Sequence, residues 1–466
     1  MAQATTDRAH NASTRPARLI FLLGPAFVAA IAYVDPGNVA ANLTAGARYG
    51  YLLVWVLAAA NGMAMLIQYQ SAKLGIVTGE SLPEVLGRRM RKGSRRAFWV
   101  QAELVAAATD LAEVIGGAIA LQLLFGLPLL LGGLIVGVIS MTILAVQSRQ
   151  GQRPFETVIV TLLAIIAFGF LAGLFVSPVH WGDAAAGLVP RFAGPDTILL
   201  AAGMLGATVM PHAIYLHSSL ARDRHGPSLE AYRARKNAEV GGHSPSRDTT
   251  ADAAFLARPG RKVARYAPFV PTPGEFSAIR RLLVVTRWDV AAALLLAGAV
   301  NIAMLLTAAA NLGGVSGTDT IVGAHAAITA ALGPAIGVIF AVGLLASGLA
   351  STSVGSYAGA TIMAGLLHVR VPLLVRRVIT LVPALLILGL GVNPTWALVL
   401  SQVFLSLGIP FALIPLVRLT SDRMLMGPFA DRLPLRIACW VVAALIVSLN
   451  VALIVLTVAG AGQGAG

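Results

Sequence analysis

Two interrupted apolar segments carry the residues whose types and spacing could do chemistry. In the first, Asp35, Pro36, Gly37 and Asn38 lie near the middle of a stretch of membrane length. A carboxylate at bilayer depth costs about 2.5 to 3.5 kcal/mol, so it is usually retained for a function. Pro36 lacks a backbone N–H and Gly37 tolerates unusual torsions, which predicts a helix break beside the carboxylate. Carbonyl oxygens freed next to an anion would form a cation site.

The second interruption lies at Met210, Pro211 and His212. It falls in the sixth apolar segment, five after the first, and it also has a proline near mid-span. Paired interrupted helices at equivalent positions of two halves indicate an inverted repeat, here of five plus five helices. On that scheme Asp35 corresponds to Met210, and the two breaks face each other.

Together the breaks predict a mixed set of cation ligands. The set combines one carboxylate, one amide oxygen, one thioether sulfur and two carbonyl oxygens that lie a turn before the prolines. Hard cations such as Mg²⁺ and Ca²⁺ favour oxygen donors alone, whereas sulfur among oxygens shifts the preference toward softer first-row metals. A methionine in an apolar helix is usually a packing residue, but this one directly precedes the proline and faces the carboxylate. The predicted ligands are Asp35, Asn38, Met210, Ala32 and Ala207.

The composition indicates a polytopic membrane protein. Apolar residues make up 57% of the chain and charged residues 12%, whereas a soluble protein carries about 25% charged residues. The single cysteine, Cys439, excludes an internal disulfide framework, and no Cys/His metal motif occurs. The net charge of +14 is attributed to membrane topology rather than to nucleic-acid binding.

Apolar runs bounded by charge or by Pro and Gly predict an all-α protein with eleven membrane-spanning helices. No cleavable signal peptide is predicted, because the first apolar stretch has spanning length and contains the break. Helix eleven lies outside the repeat. The predicted spans are 19–44, 50–74, 97–122, 127–147, 155–177, 196–221, 288–311, 332–366, 371–391, 393–417 and 435–460.

The distribution of Lys and Arg predicts a cytoplasmic amino terminus. With that orientation, 32 of the 34 basic residues fall on the cytoplasmic side, and only Arg48 and Arg191 fall outside. Long loops carry less weight in this rule, but when the longest loop is left out, 19 basic residues still fall on the cytoplasmic side and 2 on the other. We therefore expect a multi-pass protein of a bacterial inner membrane.

The chain divides into a tail (1–18), helices one to six (19–221), a basic loop (222–287), helices seven to eleven (288–460) and a second tail (461–466). The loop is predicted to be a flexible cytoplasmic segment held near anionic lipid by its positive charge. A regulatory or docking role for it remains an alternative. His225 and His243 lie in it and are predicted to be solvated.

Predicted helix three carries Glu103, Asp110 and Glu113 on one face, within about 80° of one another. Three acids on one stripe of a spanning helix indicate a polar interior or a water-filled path, where they could bind and release protons. Arg376 and Arg377, at the start of helix nine, could supply a neighbouring cation. The alternative is a structural buried ion pair with a surface arginine, and the residues alone favour neither.

Two histidines after the second break and a repeat of small residues in predicted helix eight form two further patterns. His212 and His217 follow the second break, and either a proton or gating role or a hydrogen-bonded structural role fits them. In helix eight, Ser347, Ser351, Gly355 and Gly359 recur every four residues, which predicts a close-packing face and a structural role.

The two break motifs together closely resemble the signature motifs of the Nramp divalent-metal transporters. The resemblance covers the membrane core and leaves out the amino-terminal tail and most of the 222–287 loop. It implies a LeuT-type fold and proton-linked import of Mn²⁺ and Fe²⁺, with Cd²⁺ and Co²⁺ also accepted. Related segments lie at 47–51, 101–104, 108–113 and 345–349.

Matched residue by residue, the resemblance implies metal ligation by the five residues predicted above. Relatives that lack the methionine transport Mg²⁺, so Met210 favours Mn²⁺ and Fe²⁺. Gln402 matches a position that joins the site in some conformations, and Asn61 and Gln68 match polar positions near the pathway. His212 matches a gating or pH-sensing position. The positions of the implied proton or salt-bridge network are Asp110, Glu113 and Arg377, with Asp35 as a proton acceptor.

The leading hypothesis is a secondary transporter that imports a divalent transition metal with protons by alternating access. One alternative is a sodium-coupled amino-acid carrier of the same fold, although Asp35 would repel the carboxylate of an amino-acid substrate. A second alternative is a Mg²⁺ transporter. An intramembrane enzyme is disfavoured because neither His-Glu-x-x-His nor a Ser-His dyad motif occurs. A structural or sensor protein is a formal alternative. The sequence contains no Walker motif, so we expect coupling to an ion gradient rather than to ATP hydrolysis. No resident cofactor is predicted beyond the transported metal. We expect the protein to be a monomer.

Overall fold

The structure is a computed structural model that describes residues 24–240, 269–318, 320–369, 371–392 and 394–463. Regular secondary structure in these ranges is entirely helical. The amino-terminal half contains α1 Pro25–Ala30, α2 Pro36–Tyr49, α3 Val54–Thr78, α4 Leu82–Arg89, α5 Lys92–Phe125, α6 Leu129–Gln150, α7 Gln152–Val176, α8 Trp181–Ala186, α9 Pro195–Thr208 and α10 Pro211–Val240. The remainder contains α11 Pro273–Asn311, α12 Ile321–Leu332, α13 Pro334–Leu367, α14 Leu373–Gly389, α15 Pro394–Thr420, α16 Arg423–Met426 and α17 Leu433–Gln463.

Helices occupy each of the eleven segments predicted to span the membrane. Seven helices or continuous pairs in the described ranges are long and apolar enough to cross a bilayer. The all-α membrane architecture is therefore confirmed, whereas the exact number of eleven spans stays a prediction. The first and sixth predicted spans are each divided in two, α1 with α2 and α9 with α10.

The predicted loop 222–287 is helical at both ends. Helix α10 continues to Val240, and α11 begins at Pro273, where Thr272 and Glu275 form a capping box. At 39 residues α11 is about 58 Å long, so it extends well beyond an apolar layer of about 30 Å. The prediction that His225 is solvated is wrong, because this side chain is 2% exposed against the bundle. His243 lies outside the described residues.

Helices α5 and α13 pack side by side along the centre of the bundle. Their backbones approach closely because small residues meet: a methyl group added at Gly348 would lie 2.9 Å from the Cα atom of Gly117. Gly348 is not one of the four residues of the predicted close-packing face; of those four, Gly355 and Gly359 lie directly against the side chains of Glu113 and Arg376. The first helix break is enclosed by α9, α11 and α13, each of which contacts the short turn that follows α1.

Candidate metal-binding site

The first break has a defined backbone geometry. After α1 the chain tightens into a 3₁₀ turn, Ile31–Val34, and Asp35 is extended with φ −71° and ψ 167°. Pro36 then begins α2, where its fixed φ suits the first helical position and its missing N–H is not needed. Asp35 caps this helix, because its Oδ1 atom accepts a hydrogen bond of 2.8 Å from the backbone N–H of Asn38.

The second break has the same form. Helix α9 ends at Thr208, Val209 leaves the helical region with φ −99° and ψ 76°, and Pro211 begins α10. A helical carbonyl normally accepts from the N–H four residues later, and a proline has none to donate. Pro36 stands four residues after Ala32, and Pro211 stands four residues after Ala207. The two predicted carbonyl donors are thus the ones that the prolines leave without their regular partner.

A side chain joins the two breaks directly. The Nδ2 group of Asn38 donates to Oδ1 of Asp35 at 2.6 Å and to the Ala207 carbonyl oxygen at 3.0 Å. The five predicted ligands Asp35, Asn38, Met210, Ala32 and Ala207 are all 0% exposed. The structure therefore places both breaks around one buried point, as the predicted repeat requires.

Two oxygen atoms at this point lack a hydrogen-bond partner among the described residues. They are Oδ2 of Asp35 and Oδ1 of Asn38. Buried polar atoms in native proteins are almost always paired, and a bare carboxylate oxygen in a dry interior is costly. A cation would satisfy both oxygens, which is the chemical reason to regard this point as a metal site.

The structure gives less detail for the other predicted ligands, Met210 and Gln402. Met210 lies in the non-helical residue pair before Pro211 and is fully buried, so its thioether lies in the protein interior. Gln402 belongs to α15, but its side chain lies outside the part of the chain that the structure describes. No group of three His, Cys, Asp or Glu side chains suited to a metal was found within the described ranges.

Two carbonyl groups of the first break are held by side chains to which the sequence analysis gave no role at the site. The Nδ2 group of Asn301 donates to the Tyr33 carbonyl at 2.7 Å, and the Ser347 hydroxyl donates to the Val34 carbonyl at 2.5 Å. Ser347 was predicted to serve packing alone, which is incomplete. Polar side chains within otherwise apolar helices were the available signal for both residues.

The histidines after the second break have different surroundings. His217 Nδ1 lies 2.8 Å from Gln68 Oε1, and Gln68 Nε2 donates to the Tyr33 hydroxyl at 2.7 Å, so this chain links α10, α3 and the first break. His212 is 1% exposed, and neither ring nitrogen has a hydrogen-bond partner in the described structure. Asn61 packs against Gly298 of α11.

Asp110 of α5 forms a buried ion pair with Arg377 of α14, at 2.5 Å between Oδ1 and Nη1. The Thr352 hydroxyl also donates to Asp110 Oδ1 at 2.5 Å, and Arg377 Nε donates to the Ser140 hydroxyl at 2.8 Å. Arg377 is 0% exposed and Arg376 is 3% exposed, so the surface arginine of the alternative is wrong, whereas the buried ion pair that it also predicted is present.

The other two acids of α5 differ from Asp110. Glu103 pairs with Arg376 at 2.6 Å. Glu113 is fully buried, and although the Ser351 hydroxyl is close enough to interact with it, neither carboxylate oxygen has a hydrogen bond within the described ranges. Gly355 and Gly359 of α13 leave room for these side chains, because a methyl group at either position would crowd Glu113 or Arg376.

The amino end of α1 is held by a carboxylate from α11. Asp289 accepts hydrogen bonds of 3.1 Å from the backbone N–H groups of both Gly24 and Ala26. A carboxylate is well placed at a helix amino terminus, where it meets free N–H groups and the positive end of the helix dipole. An acid within the apolar helix α11 was the sequence signal for this contact.

The sequence model of the family described as natural resistance-associated macrophage protein-like, or Nramp, matches residues 26–456. The chain belongs to the Nramp family. A divalent metal cation transporter, MntH, of Mycobacterium tuberculosis is 55% identical over 440 residues, covering 94% of this chain and 92% of that protein. The MntH of Bacillus subtilis is 43% identical over 440 residues, with the same coverage of 94% and 92%.

Solved structures agree with the assignment of this Nramp chain. The manganese transporter of Eremococcus coleocola superposes with a TM-score of 0.75 at 29% identity, covering 93% of this chain and 85% of the other. MhsT in complex with L-phenylalanine superposes with a TM-score of 0.57 at 16% identity, covering 94% and 98%, which shows the fold alone. The predicted LeuT-type fold is confirmed, and the chain is a multi-pass membrane protein.

Proposed function

We propose that this protein is a proton-coupled secondary transporter that imports divalent transition metals, Mn²⁺ and Fe²⁺ above all, by alternating access. The observation that carries the proposal is the meeting of the two breaks, where Oδ2 of Asp35 and Oδ1 of Asn38 have no hydrogen-bond partner among the described residues and Met210 of the second break is buried. The printed descriptions of the relatives, divalent metal cation transporter and manganese transporter, support it.

The donor set supports a transition metal rather than Mg²⁺ or Ca²⁺. One carboxylate, one amide, one thioether and carbonyl oxygens are at hand, and the sulfur of Met210 is a donor that hard cations do not favour. With a single negative charge the site binds with moderate affinity, which suits an ion that must leave on the other side. Cd²⁺ and Co²⁺ belong to the same proposed substrate range.

Proton transfer is assigned to α5 and its neighbours. Glu113 has no hydrogen bond within the described residues, and Asp110 one turn earlier is paired with Arg377. Buried acids next to a cation can exchange protons as their surroundings change, which is what coupling to a proton gradient requires. Asp35, His212 and His217 belong to the same proposed pathway, and Glu103 with Arg376 continues it along α5.

A sodium-coupled amino-acid carrier remains the alternative within this fold. Such carriers hold the substrate carboxylate at helix-end amides. Here the amino end of α2 is already capped by the Asp35 carboxylate, which would repel a second one.

The chain is proposed to lie in a bacterial inner membrane as a monomer with its amino terminus in the cytoplasm, and neither an enzymatic activity nor ATP hydrolysis is proposed.

The test is uptake by the purified full chain in proteoliposomes, with a panel of Mn²⁺, Fe²⁺, Cd²⁺, Mg²⁺ and Ca²⁺. A metal-sensitive dye inside the vesicles is read beside an internal pH dye. We expect Mn²⁺ and Fe²⁺ to enter together with protons, and uptake to rise with an inward proton gradient. Uptake of an amino acid with Na⁺, or of Mg²⁺ in preference to Mn²⁺, would overturn the proposal.

A further inference from the structure

The first break removes regular partners from a short run of carbonyl groups in the protein interior. The chain is extended at Asp35, and Pro36 has no N–H, so the helical hydrogen bonds of the preceding turn cannot continue. The carbonyl of Asp35 itself accepts from Val39 N–H at 3.1 Å, as the first bond of α2. The carbonyls of Ala32, Tyr33 and Val34 belong to the turn that immediately precedes the interruption.

Two of these three carbonyls are occupied by side chains from different helices. Asn301 of α11 donates to Tyr33 at 2.7 Å, and Ser347 of α13 donates to Val34 at 2.5 Å. Asn301 is fixed in this orientation, because its Oδ1 atom accepts from the Asn42 amide at 2.8 Å. Both donors are buried, at 3% and 0% exposure, so water does not compete for the bonds.

The donor set of the proposed metal site is therefore restricted by residues that are not ligands. A carbonyl oxygen that accepts a hydrogen bond as short as the 2.5 and 2.7 Å found here is a poorer ligand, since the donor attracts its lone-pair density and fixes its direction. The Ala207 carbonyl differs, because its bond from Asn38 is longer, at 3.0 Å, and comes from a side chain that is itself a proposed ligand. Ca²⁺ prefers six to eight oxygen ligands, so a site with few available oxygens disfavours it. Ala32 is the carbonyl of the run for which the described structure gives no side-chain donor.

We propose that Asn301 and Ser347 are positioning residues for metal selectivity: by binding the Tyr33 and Val34 carbonyls, they withhold two hard oxygen donors from the site and so disfavour Ca²⁺. This inference rests on the proposed function and adds a second basis of discrimination beside the Met210 thioether.

The test compares Ser347→Ala with Ser353→Ala in the full chain, purified in detergent, with Mn²⁺ and Ca²⁺ binding measured separately by calorimetry. Ser353 is a matched control, because it is equally buried on the same helix but its hydroxyl bonds to the Leu349 carbonyl of its own helix at 2.8 Å. We expect Ser347→Ala to shift the ratio of the two dissociation constants about tenfold in favour of Ca²⁺. Ser353→Ala and Ser347→Thr, which keeps the hydroxyl, should leave the ratio unchanged.

Unchanged selectivity in Ser347→Ala, with only a lower melting temperature, would overturn the inference and leave a structural hydrogen bond. If Ser347→Ala does not fold, Ser347→Cys replaces it, since a thiol is a weak donor of similar size, and a ratio equal to the wild type would again overturn the inference. Failure of the proposed function itself would look different, because the wild-type chain would then bind no Mn²⁺.

Discussion

The side-chain amide of Asn38 donates to the carbonyl oxygen of Ala207, 3.0 Å away, and so connects the two helix breaks through the centre of the molecule. The same amide donates to Asp35 Oδ1. Both N–H groups of the amide are thus used for positioning, whereas its oxygen and the second carboxylate oxygen have no hydrogen-bond partner among the described residues and are the atoms proposed to bind the cation. The Asp35 carboxylate therefore has two roles, since one oxygen caps α2 and the other is proposed to bind the cation.

Asp35→Asn is expected to abolish Mn²⁺ uptake while the protein stays folded. An asparagine retains an oxygen to accept from the Asn38 backbone and keep the cap of α2, but it removes the only carboxylate among the five proposed ligands. The measurement is Mn²⁺ uptake into proteoliposomes beside the melting temperature, with Asp183→Asn on exposed α8 as the control. Near-normal uptake in Asp35→Asn would remove Asp35 from the site, whereas Asp35→Ala is expected to lose both uptake and stability.

Met210→Ala is expected to retain Mn²⁺ transport and to admit Ca²⁺ and Mg²⁺ as competitors. Removing the sulfur leaves oxygen donors alone, which hard cations favour. Competition of each hard cation with Mn²⁺ uptake measures the effect. Met204→Ala, which empties a similarly buried position on α9, controls for the cavity. Equal discrimination in the two variants would show that the thioether does not select the metal.

Asp110→Asn is expected to weaken proton entry more than Mn²⁺ binding. The substitution leaves the buried guanidinium of Arg377 without its carboxylate, and breaking one side of a buried ion pair costs about 3–5 kcal/mol. Thr352→Val is the control, because it removes a hydrogen bond to Asp110 and keeps the charge pair. Parallel internal pH and metal dyes provide the measurement, and equal loss of both signals would contradict a separate proton path.

Asp289→Ala is expected to release the amino end of α1. Two bonds of 3.1 Å to a charged acceptor are lost, which together contribute roughly 3 kcal/mol. Because Cys439 is the only cysteine, a Cys439→Ser background allows a single reporter, Ala26→Cys, whose labelling rate should rise in Asp289→Ala. Thr286→Val removes a hydroxyl that has no hydrogen-bond partner among the described residues of the chain, and it should leave labelling unchanged. No rise in labelling would show that other contacts hold α1.

Glu84→Gln on α4 is expected to destabilise the protein at pH 7, and this deficit should shrink as the pH falls below 4.5. Burial raises the pKa of Glu84, but the Ser81 backbone N–H at 2.7 Å and the Arg222 guanidinium outweigh it and hold the pKa below the ordinary 4.5. A lowered pKa means that the charged form stabilises the fold above pH 4.5, and that this contribution disappears as the pH falls through the folded value.

The side chain of Glu84 is 39% exposed, so the effect at pH 7 should be at most about 1 kcal/mol. Thermal unfolding of both proteins over a series of pH values from 7 to well below 4.5 is the measurement. Glu80→Gln is an informative comparison, because burial raises the pKa of Glu80 above its ordinary value and its charge should oppose folding near neutral pH. A Glu84→Gln deficit that persists at low pH would indicate lost packing rather than lost charge.

Much of the architecture was predictable because its causes are local. Long apolar runs predict spanning helices, and a proline removes a hydrogen bond wherever it stands, so both breaks and the alanine carbonyls Ala32 and Ala207 follow from the chain alone. The unequal distribution of Lys and Arg between the loops likewise predicts the orientation of the chain in the membrane, and this prediction needs no knowledge of tertiary contacts. The helical continuation of α10 and α11 into the basic loop was not predicted, because apolar periodicity marks a span and not the polar turns that extend it.

The sequence by itself determined that an acid, an amide and a thioether stand at two interrupted helices of an α-helical membrane protein. Only the tertiary structure decided which oxygens remain available, because the partners come from distant helices: Asn38 and Ala207 are 169 residues apart, and Val34 and Ser347 are 313 apart. It likewise paired Asp110 with Arg377 and left Glu113 without a hydrogen bond in the described structure. Residue type specifies what a side chain can donate or accept, but packing specifies whether a neighbour has already satisfied it.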